Sequence, residues 1–299
     1  MSQLKIGMVG LDTSHCGSFA EILHNEANEY FLPGGHITVA FPGGSQAFAN
    51  SRNRVERISN EMKDKYGVTL VDDIATVAKQ VDAILLESVD GRQHLEQFRQ
   101  LAPFGKPVFI DKPIATTVSE AKAIFELAQQ YNTPVYTTSS LRYANGVAQL
   151  GAEAEVLGCH AFGPMSLLED FPGYFWYGIH SAEILYAKMG PGCKSVSVRS
   201  TADADNISGI WQDGRVGSLY GYRNRKVSTF GAVVYTSAGV EQGVSLNVPP
   251  QYALLLKNVL EFFRTGKSPI AAAESVEVIA FLEAANAARE SGKDVEIQL

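Results

Sequence analysis

An apolar run at Lys5–Val9 leads into Gly7-Met8-Val9-Gly10-Leu11-Asp12-Thr13-Ser14-His15-Cys16-Gly17, the first stretch whose residue types suit a ligand. A helix that starts just after a first strand offers free backbone N–H groups and the positive end of its dipole to an anion such as a pyrophosphate. Aligned on Gly10, the glycine fingerprint built for that purpose needs glycines at 12 and 15, and the chain has Asp12 and His15 there. A carboxylate at position 12 repels a pyrophosphate unless it turns away to cap the helix. Thr13, Ser14 and His15 add donors that offset it in part, so Gly10, Leu11, Asp12, Thr13, Ser14 and His15 form the candidate anion cradle. The second apolar run ends at Phe41-Pro42-Gly43-Gly44-Ser45, without the acid that would hold the ribose hydroxyls of NAD. Ser45 with Arg52 or Arg54 suits a 2′-phosphate instead, which leaves NAD and NADP equally open; the alternative is that Pro42-Gly43-Gly44 is only a turn.

Other reactive side chains fall at strand ends. The fourth run closes on Glu87-Ser88-Val89-Asp90-Gly91-Arg92-Gln93-His94, where Asp90 and Arg92 are either site residues or the cap and first turn of the next helix. Lys112 follows a buried strand at the carboxyl edge of the expected sheet, where the ligands of doubly wound folds bind. His180 and Glu183 stand three apart and share a helical face. Asp12, His15, Asp90, His94, His180 and Glu183 together offer carboxylates and imidazoles for a divalent metal, or for elimination or hydrolysis without hydride transfer. No local ligand spacing singles out a metal site, so no metal ligands are assigned.

The elements that must position these residues come in two rhythms. From Lys5 to about Thr138, short strands alternate with helices: Lys5–Val9, His36–Phe41, Val68–Val71, Ala83–Ser88, Pro107–Ile110 and Pro134–Thr138. Phe19, Ile22, Leu23, Ala27 and Tyr30 mark one helical stripe, with Ser14 or Thr13 as its cap. Val55, Ile58, Met62 and Tyr66 mark another, closed by Gly67. This half is a doubly wound parallel sheet of Rossmann type. Beyond about Ala144, strands at Val196–Thr201, Asn206–Gln212, Arg215–Arg223 and Thr229–Thr236, with a hairpin at Asp213-Gly214, predict a largely antiparallel open sheet. Helices from Pro250 to Thr265 and from Glu274 to Glu290 end at Gly266 and Gly292. The expected division is an α/β chain with a dinucleotide domain over 1–118 and a substrate and oligomerisation domain over 119–299.

Bulk properties exclude several classes. The chain has 299 residues, 45% hydrophobic and 19% charged, enough apolar side chain for two cores. Its apolar runs fall short of the roughly 20 residues that cross a bilayer. Met1-Ser2-Gln3 passes straight into strand pattern with no export signal, which predicts a cytoplasmic protein. Cys16, Cys159 and Cys193 are scattered and odd in number, so neither a disulfide framework nor a thiolate zinc site is expected. A net charge of -7 argues against a nucleic-acid surface, and Arg52, Arg54 and Arg57 read as a solvated helix face.

The segment Gly105-Lys106-Pro107-Val108-Phe109-Ile110-Asp111-Lys112-Pro113-Ile114-Ala115 resembles the EKP motif of the Gfo/Idh/MocA oxidoreductases, with Asp111 in place of Glu. The likeness continues through Thr138-Ser139-Ser140-Leu141-Arg142-Tyr143, the Gly178-Ile179-His180 of a G-x-H motif, and the closing stretch from Tyr252 to Val295. It implies a Rossmann domain and an open-sheet domain that hold a nicotinamide and a sugar or cyclitol between them. Lys112 would lie beside the nicotinamide and the substrate hydroxyl, followed by a proline that is often cis, and His180 would be the general base. Trp176 stands where the family has the acidic companion of that histidine. His94 fits the family pattern after the fourth strand, and Asp90-Gly91-Arg92 does not.

The resemblance thus implies NAD(P)-dependent oxidation of a polyol hydroxyl, with Lys112 and His180 catalytic. Gly10 to His15, Ser45, Ser88, Asp90, His94, Asp111 and Lys112 are then expected on the cofactor, and Arg142, Tyr143, Trp176, Tyr177, His180 and Glu183 on the substrate. The competing readings are a non-redox or metal-assisted enzyme and a ligand-binding protein that kept the fold. Neither nucleic acid nor membrane is an expected partner, and a second copy of the chain is.

Overall fold

The computed structural model describes residues 3–223 and 227–299. Met1 and Ser2, read above as leading directly into the first strand, lie outside the described residues. In chain order the first elements are β1 (Leu4–Val9), α1 (His15–His24), β2 (Gly35–Phe41), α2 (Ala49–Arg52), α3 (Val55–Tyr66) and β3 (Thr69–Leu70). They continue with α4 (Ile74–Gln80), β4 (Ala83–Leu86), α5 (His94–Leu101), β5 (Val108–Ile110), α6 (Val118–Tyr131) and β6 (Val135–Thr137). After these come β7 (Val156–Pro164), α7 (Gly178–Met189), β8 (Cys193–Ser200), β9 (Ala204–Trp211), β10 (Val216–Tyr222), β11 (Gly231–Thr236) and β12 (Gly239–Val244). The chain closes with α8 (Gln251–Thr265), α9 (Ala272–Ser291) and the short β13 (Val295–Glu296).

Six strands form a parallel sheet in the order β3-β2-β1-β4-β5-β6. Its central strands are apolar and buried on both faces, as parallel strands covered by helices must be: all four residues of β4 and all three of β5 are buried. Strand order reverses between β1 and β4, and the carboxyl ends of those two strands open the crevice where doubly wound sheets bind ligands. Gly10 sits there with φ +87°, and a Cβ on it would lie 2.3–2.5 Å from Ser88, so the strand ends approach closely only because position 10 has no side chain. Gly67, at φ +68°, closes α3 as expected. The stripe through Phe19, Ile22 and Leu23 is buried, but α1 stops at His24 and leaves Ala27 and Tyr30 outside it. Asn25 and Asn28 accept hydrogen bonds from the backbone N–H groups of Ala27 and Tyr30 (3.1 and 2.8 Å), local turns that compete with further helix.

The second sheet runs β12-β11-β7-β10-β9-β8-β13, with β7 parallel to β10 and the other neighbours antiparallel. The hairpin falls at Asp213-Gly214, with Gly214 at φ +86°. Helices α7 and α9 cover one face, where Leu185, Ile207, Trp211, Leu219 and Phe281 are buried. Strands β7 and β12 were not expected: two glycines and a terminal proline interrupt the first, and Glu241, Gln242 and two glycines dilute the second.

The chain divides into two compact units, and neither is continuous in sequence. One comprises 1–115, 119–138 and 252–271; the other 116–118, 139–251 and 272–299. The sequence reading divides the chain once, after residue 118. The chain instead returns to the first unit twice, because α6 is the crossover that delivers β6 to the sheet edge and α8 covers that sheet again. Tyr252 lies against His15 and Phe19, with ring centroids 4.8 and 5.7 Å away, and Phe262 lies 5.5 Å from Tyr136. Among the described residues, no helix is long and apolar enough to cross a membrane.

His24 at the end of α1 stacks on His36 of β2 (3.7 Å) and accepts a hydrogen bond from the Ile37 N–H at Nε2 (3.0 Å). Partial burial, and then the neighbouring imidazole, hold His24 down at about 4. A histidine depressed on folding stabilises above its unfolded pKa near 6.5 and loses that stability as pH falls towards its folded value. Denaturant midpoints should therefore drop between pH 6.5 and 4, by about 1–2 kcal/mol after solvent screening, and His24→Asn should flatten that part of the profile.

Candidate functional site

At the carboxyl edge of the parallel sheet, three loops are tied together by buried carboxylates. Asp12, fully buried, accepts hydrogen bonds from the Val89 N–H (2.9 Å) and the Ser51 hydroxyl (2.6 Å). Burial raises its pKa, against the lowering effect of those two donors. Ser45 is likewise buried and donates to Asp90 (2.6 Å), and Arg92 grips Asp90 with Nε and Nη2 (2.7 and 2.9 Å). Burial works against the Asp90 carboxylate, but Arg92 and Ser45 hold it below the usual range. Ser45 is thus spent on Asp90 rather than grouped with Arg52, which reaches Gln46, or Arg54, which reaches Asn50. The N–H groups of Gly10 and Leu11 also have protein partners, the carbonyls of Phe41 (2.9 Å) and Pro42 (2.7 Å).

His94 is fully buried, with its ring nitrogens on the carbonyls of Ile114 (3.1 Å) and Ser88 (2.7 Å). It clamps the chain after β5 to the chain after β4. Ser88, also fully buried, packs on Gly10. Thr13 is buried and its hydroxyl accepts from the His15 N–H, and Ser14 is exposed at the N-cap of α1 without a side-chain capping bond. His15, Glu87 and Asp111 come together: His15 Nδ1 lies 2.9 Å from Asp111 Oδ2 and 3.7 Å from Glu87 Oε2. Burial opposes the charge on His15, but Asp111 and Glu87 outweigh it and lift the imidazole to about 9. Burial and the adjacent Asp111 push Glu87 up to about 7. Lys112 follows at 8% exposure and is joined to Pro113 by a cis peptide bond.

In the second unit, His180 sits in the first turn of α7 with Nδ1 2.6 Å from the hydroxyl of Ser139. Tyr177 and Phe230 flank its ring at centroid distances of 5.6 and 5.4 Å, and Trp176 continues the aromatic wall beside Tyr177. Ser139 therefore stands beside the imidazole where an acidic companion is missing at Trp176. Glu183 does not share this setting. It accepts from Arg142 Nε (2.9 Å), and Glu274 Oε1 lies 2.7 Å from Arg142 Nη1, so one buried guanidinium carries two carboxylates. Tyr143 is half-buried on the turn Ser140–Tyr143 that also holds Arg142.

Residues 4–139 match the model of an oxidoreductase family with an NAD-binding Rossmann fold, GFO_IDH_MocA. Residues 4–139 belong to the Gfo/Idh/MocA family. No curated protein matches the sequence. The fold extends over the full chain. GenD2 from gentamicin A biosynthesis, solved with NAD, is 14% identical over 100% of this chain and 97% of its own, with a TM-score of 0.80. Myo-inositol dehydrogenase from Lactobacillus casei, solved with NAD(H) and myo-inositol, is 13% identical over 100% and 98%, at 0.79. Myo-inositol 2-dehydrogenase from Lactobacillus plantarum is 14% identical over 99% and 100%, at 0.78. At such identities the likeness establishes the shared architecture.

The first turn of this Gfo/Idh/MocA unit suits a dinucleotide pyrophosphate in its donor set. Its anion, Asp12, is engaged by Val89 and Ser51, and the exposed Ser14 leaves the N-terminus of α1 without a side-chain cap. Gly10 and Leu11 serve the turn's own geometry.

Several residues of these clusters escaped sequence reading. Glu87 was visible as a charge closing an apolar strand, but not its partners. Ser139 was visible only within the Thr138-to-Tyr143 likeness and Glu274 only as a helix start; they lie 41 and 132 positions from the residues they hold, and Phe230 reaches His180 only through the fold. Replacing Glu183 by Ala leaves half of the Arg142 pairing and should cost about 3 kcal/mol in urea unfolding, the scale of a broken buried ion pair. Unchanged stability with a weakened substrate KM would instead make Glu183 a substrate ligand.

Proposed function

We propose that this chain is an NAD(P)-dependent dehydrogenase that oxidises a hydroxyl of a polyol, a sugar or cyclitol, by hydride transfer. The observation that carries the reading is His180, set on a helix N-terminus, paired with Ser139 through Nδ1 and walled by Tyr177 and Phe230, in a chain whose first unit is a Gfo/Idh/MocA Rossmann domain. Contact between Nδ1 and the Ser139 hydroxyl orients the ring. In this role His180 takes the hydroxyl proton as general base. Lys112 steadies the developing alkoxide and relays the proton. The nicotinamide, when bound, supplies the hydride acceptor. Trp176 and Tyr177 offer apolar faces to a sugar ring, and Tyr143 offers a hydroxyl. Arg142 and Glu183 shape this region through each other. Ser14 and the start of α1 take the pyrophosphate, and Asp90, held beside Ser45, supplies the acid that the end of β2 lacks.

Titration with NADH and NADPH, followed by nicotinamide fluorescence, should show saturable binding of at least one. Failure of both at millimolar concentration overturns the reading. With a substrate in hand, His180→Ala and Lys112→Ala should each lower kcat by about 10²-fold or more, and Ser139→Ala by about 10-fold. Near-normal turnover in either of the first two removes that residue from the mechanism.

The chain is also proposed to work as a homo-oligomer through the open face of its second sheet. Ile210, Val216, Tyr235 and Val240 lie in one lateral row across β9, β10, β11 and β12 through Gly158 of β7, each about half exposed or more. A row of that kind invites a second apolar surface. Light scattering should report a mass above one chain, and Tyr235→Glu with Val240→Asp should reduce it to one chain.

A further inference from the structure

His15, Glu87 and Asp111 lie entirely within the first unit and are all buried. The two carboxylates are neighbours by topology. Leu86 of β4 pairs with Ile110 of β5, and Glu87 and Asp111 are the next residue on each strand, held by backbone bonds from Glu87 N–H to Val9 O (2.7 Å) and from Asp111 N–H to Leu86 O (2.9 Å). Like charges side by side on adjacent strands repel, and burial magnifies the cost. Glu87 is fully buried, and neither of its carboxylate oxygens accepts an aligned hydrogen bond, with the His15 imidazole 3.7 Å away as its counter-charge. Asp111 Oδ2 and His15 Nδ1, though 2.9 Å apart, are likewise not aligned in a hydrogen bond.

We propose that His15, Glu87 and Asp111 form a binding site for one divalent transition-metal ion, of the zinc or manganese class. Each contributes one ligand atom, and these atoms all fall within 4.8 Å of one another. An ion held about 2.0–2.2 Å from each ligand sets its ligands roughly 3–3.6 Å apart, close to the 2.9 and 3.7 Å observed from His15 Nδ1. One imidazole with two carboxylates is a borderline nitrogen and oxygen set, which favours zinc or manganese over magnesium or calcium. A metal ion takes the place of the His15 imidazole proton, and the two carboxylates then outweigh the single ammonium of Lys112 nearby, so the deprotonated set attracts a cation. The anchoring is rigid, since both carboxylates leave sheet strands and His15 opens α1 with its ring wedged between Phe19 and Tyr252. This site was not assigned from sequence, where Glu87 was no metal candidate. It is independent of the dehydrogenase reading, because its test reads metal binding alone.

The test is calorimetric titration of the full chain, stripped with chelator, using zinc chloride, manganese chloride and magnesium chloride separately. The expected result is one equivalent of zinc or manganese bound at micromolar Kd or tighter, a thermal midpoint raised by several degrees, and no comparable response to magnesium. Glu87→Gln and Asp111→Asn keep side-chain volume and should each weaken binding at least 30-fold. Glu87→Gln should still melt cooperatively without metal, as a folded chain, which separates lost binding from lost folding. His36→Gln breaks the stacked pair with His24, another imidazole pair among the described residues, and should leave binding intact. The proposal is overturned if neither zinc nor manganese binds saturably, if binding survives both carboxamide variants, or if it vanishes in His36→Gln.

Discussion

Burial of carboxylates at the carboxyl edge of the parallel sheet is the constraint from which the rest of the first unit follows. A parallel sheet delivers its strand ends to one edge, and here that edge carries Asp12, Glu87, Asp90 and Asp111, all at most 1% exposed. None can be left alone in a medium of low dielectric. Asp12 is satisfied by a backbone N–H and a serine, Asp90 by an arginine fork, and Asp111 faces an imidazole raised to about 9. These partners come from α1, from α2 and from the loop after β4, so the charges organise the strand-end connections rather than decorate them. Gly10 permits this crowding by having no side chain at the point where β1 and β4 meet.

The second unit solves a related problem with the signs exchanged. Arg142 is the buried charge there, and Glu183 and Glu274 are brought to it from α7 and α9. Because Glu183 stands one turn after His180 on α7, fixing that carboxylate also fixes the face on which the imidazole sits. Ser139 then orients the ring from the other side. The same short segment, from Ser139 to Arg142, thus supplies both the partner of the His180 imidazole and the anchor of its helix.

Much of the architecture was legible in the chain. Alternating apolar runs and helical stripes located all six strands of the parallel sheet, and Gly67, Gly214, Gly266 and Gly292 marked turns and helix ends where positive φ is needed. Elements were missed where local patterning is weak. Strands β7 and β12 are held by their neighbours in the sheet more than by their own composition, and α1 ended early because two asparagines offered the backbone a turn. Helical spacing places Glu183 beside His180 as a candidate ligand, but spacing says nothing of the arginine 41 residues away that it also meets.

The sequence by itself determined the Rossmann rhythm, the turn residues and the positions of Lys112 and His180, because these depend on periodicity, backbone φ and short motifs read within a few residues. Tertiary structure alone decided which charges meet. Whether Asp12 faces a ligand or the protein, whether His94 is a site residue or a clamp, and which groups surround His15 depend on pairings across 20 to more than 90 positions. Only strand register and loop closure set those distances, and in a buried environment a difference of a few ångströms separates a paired charge from an open binding site.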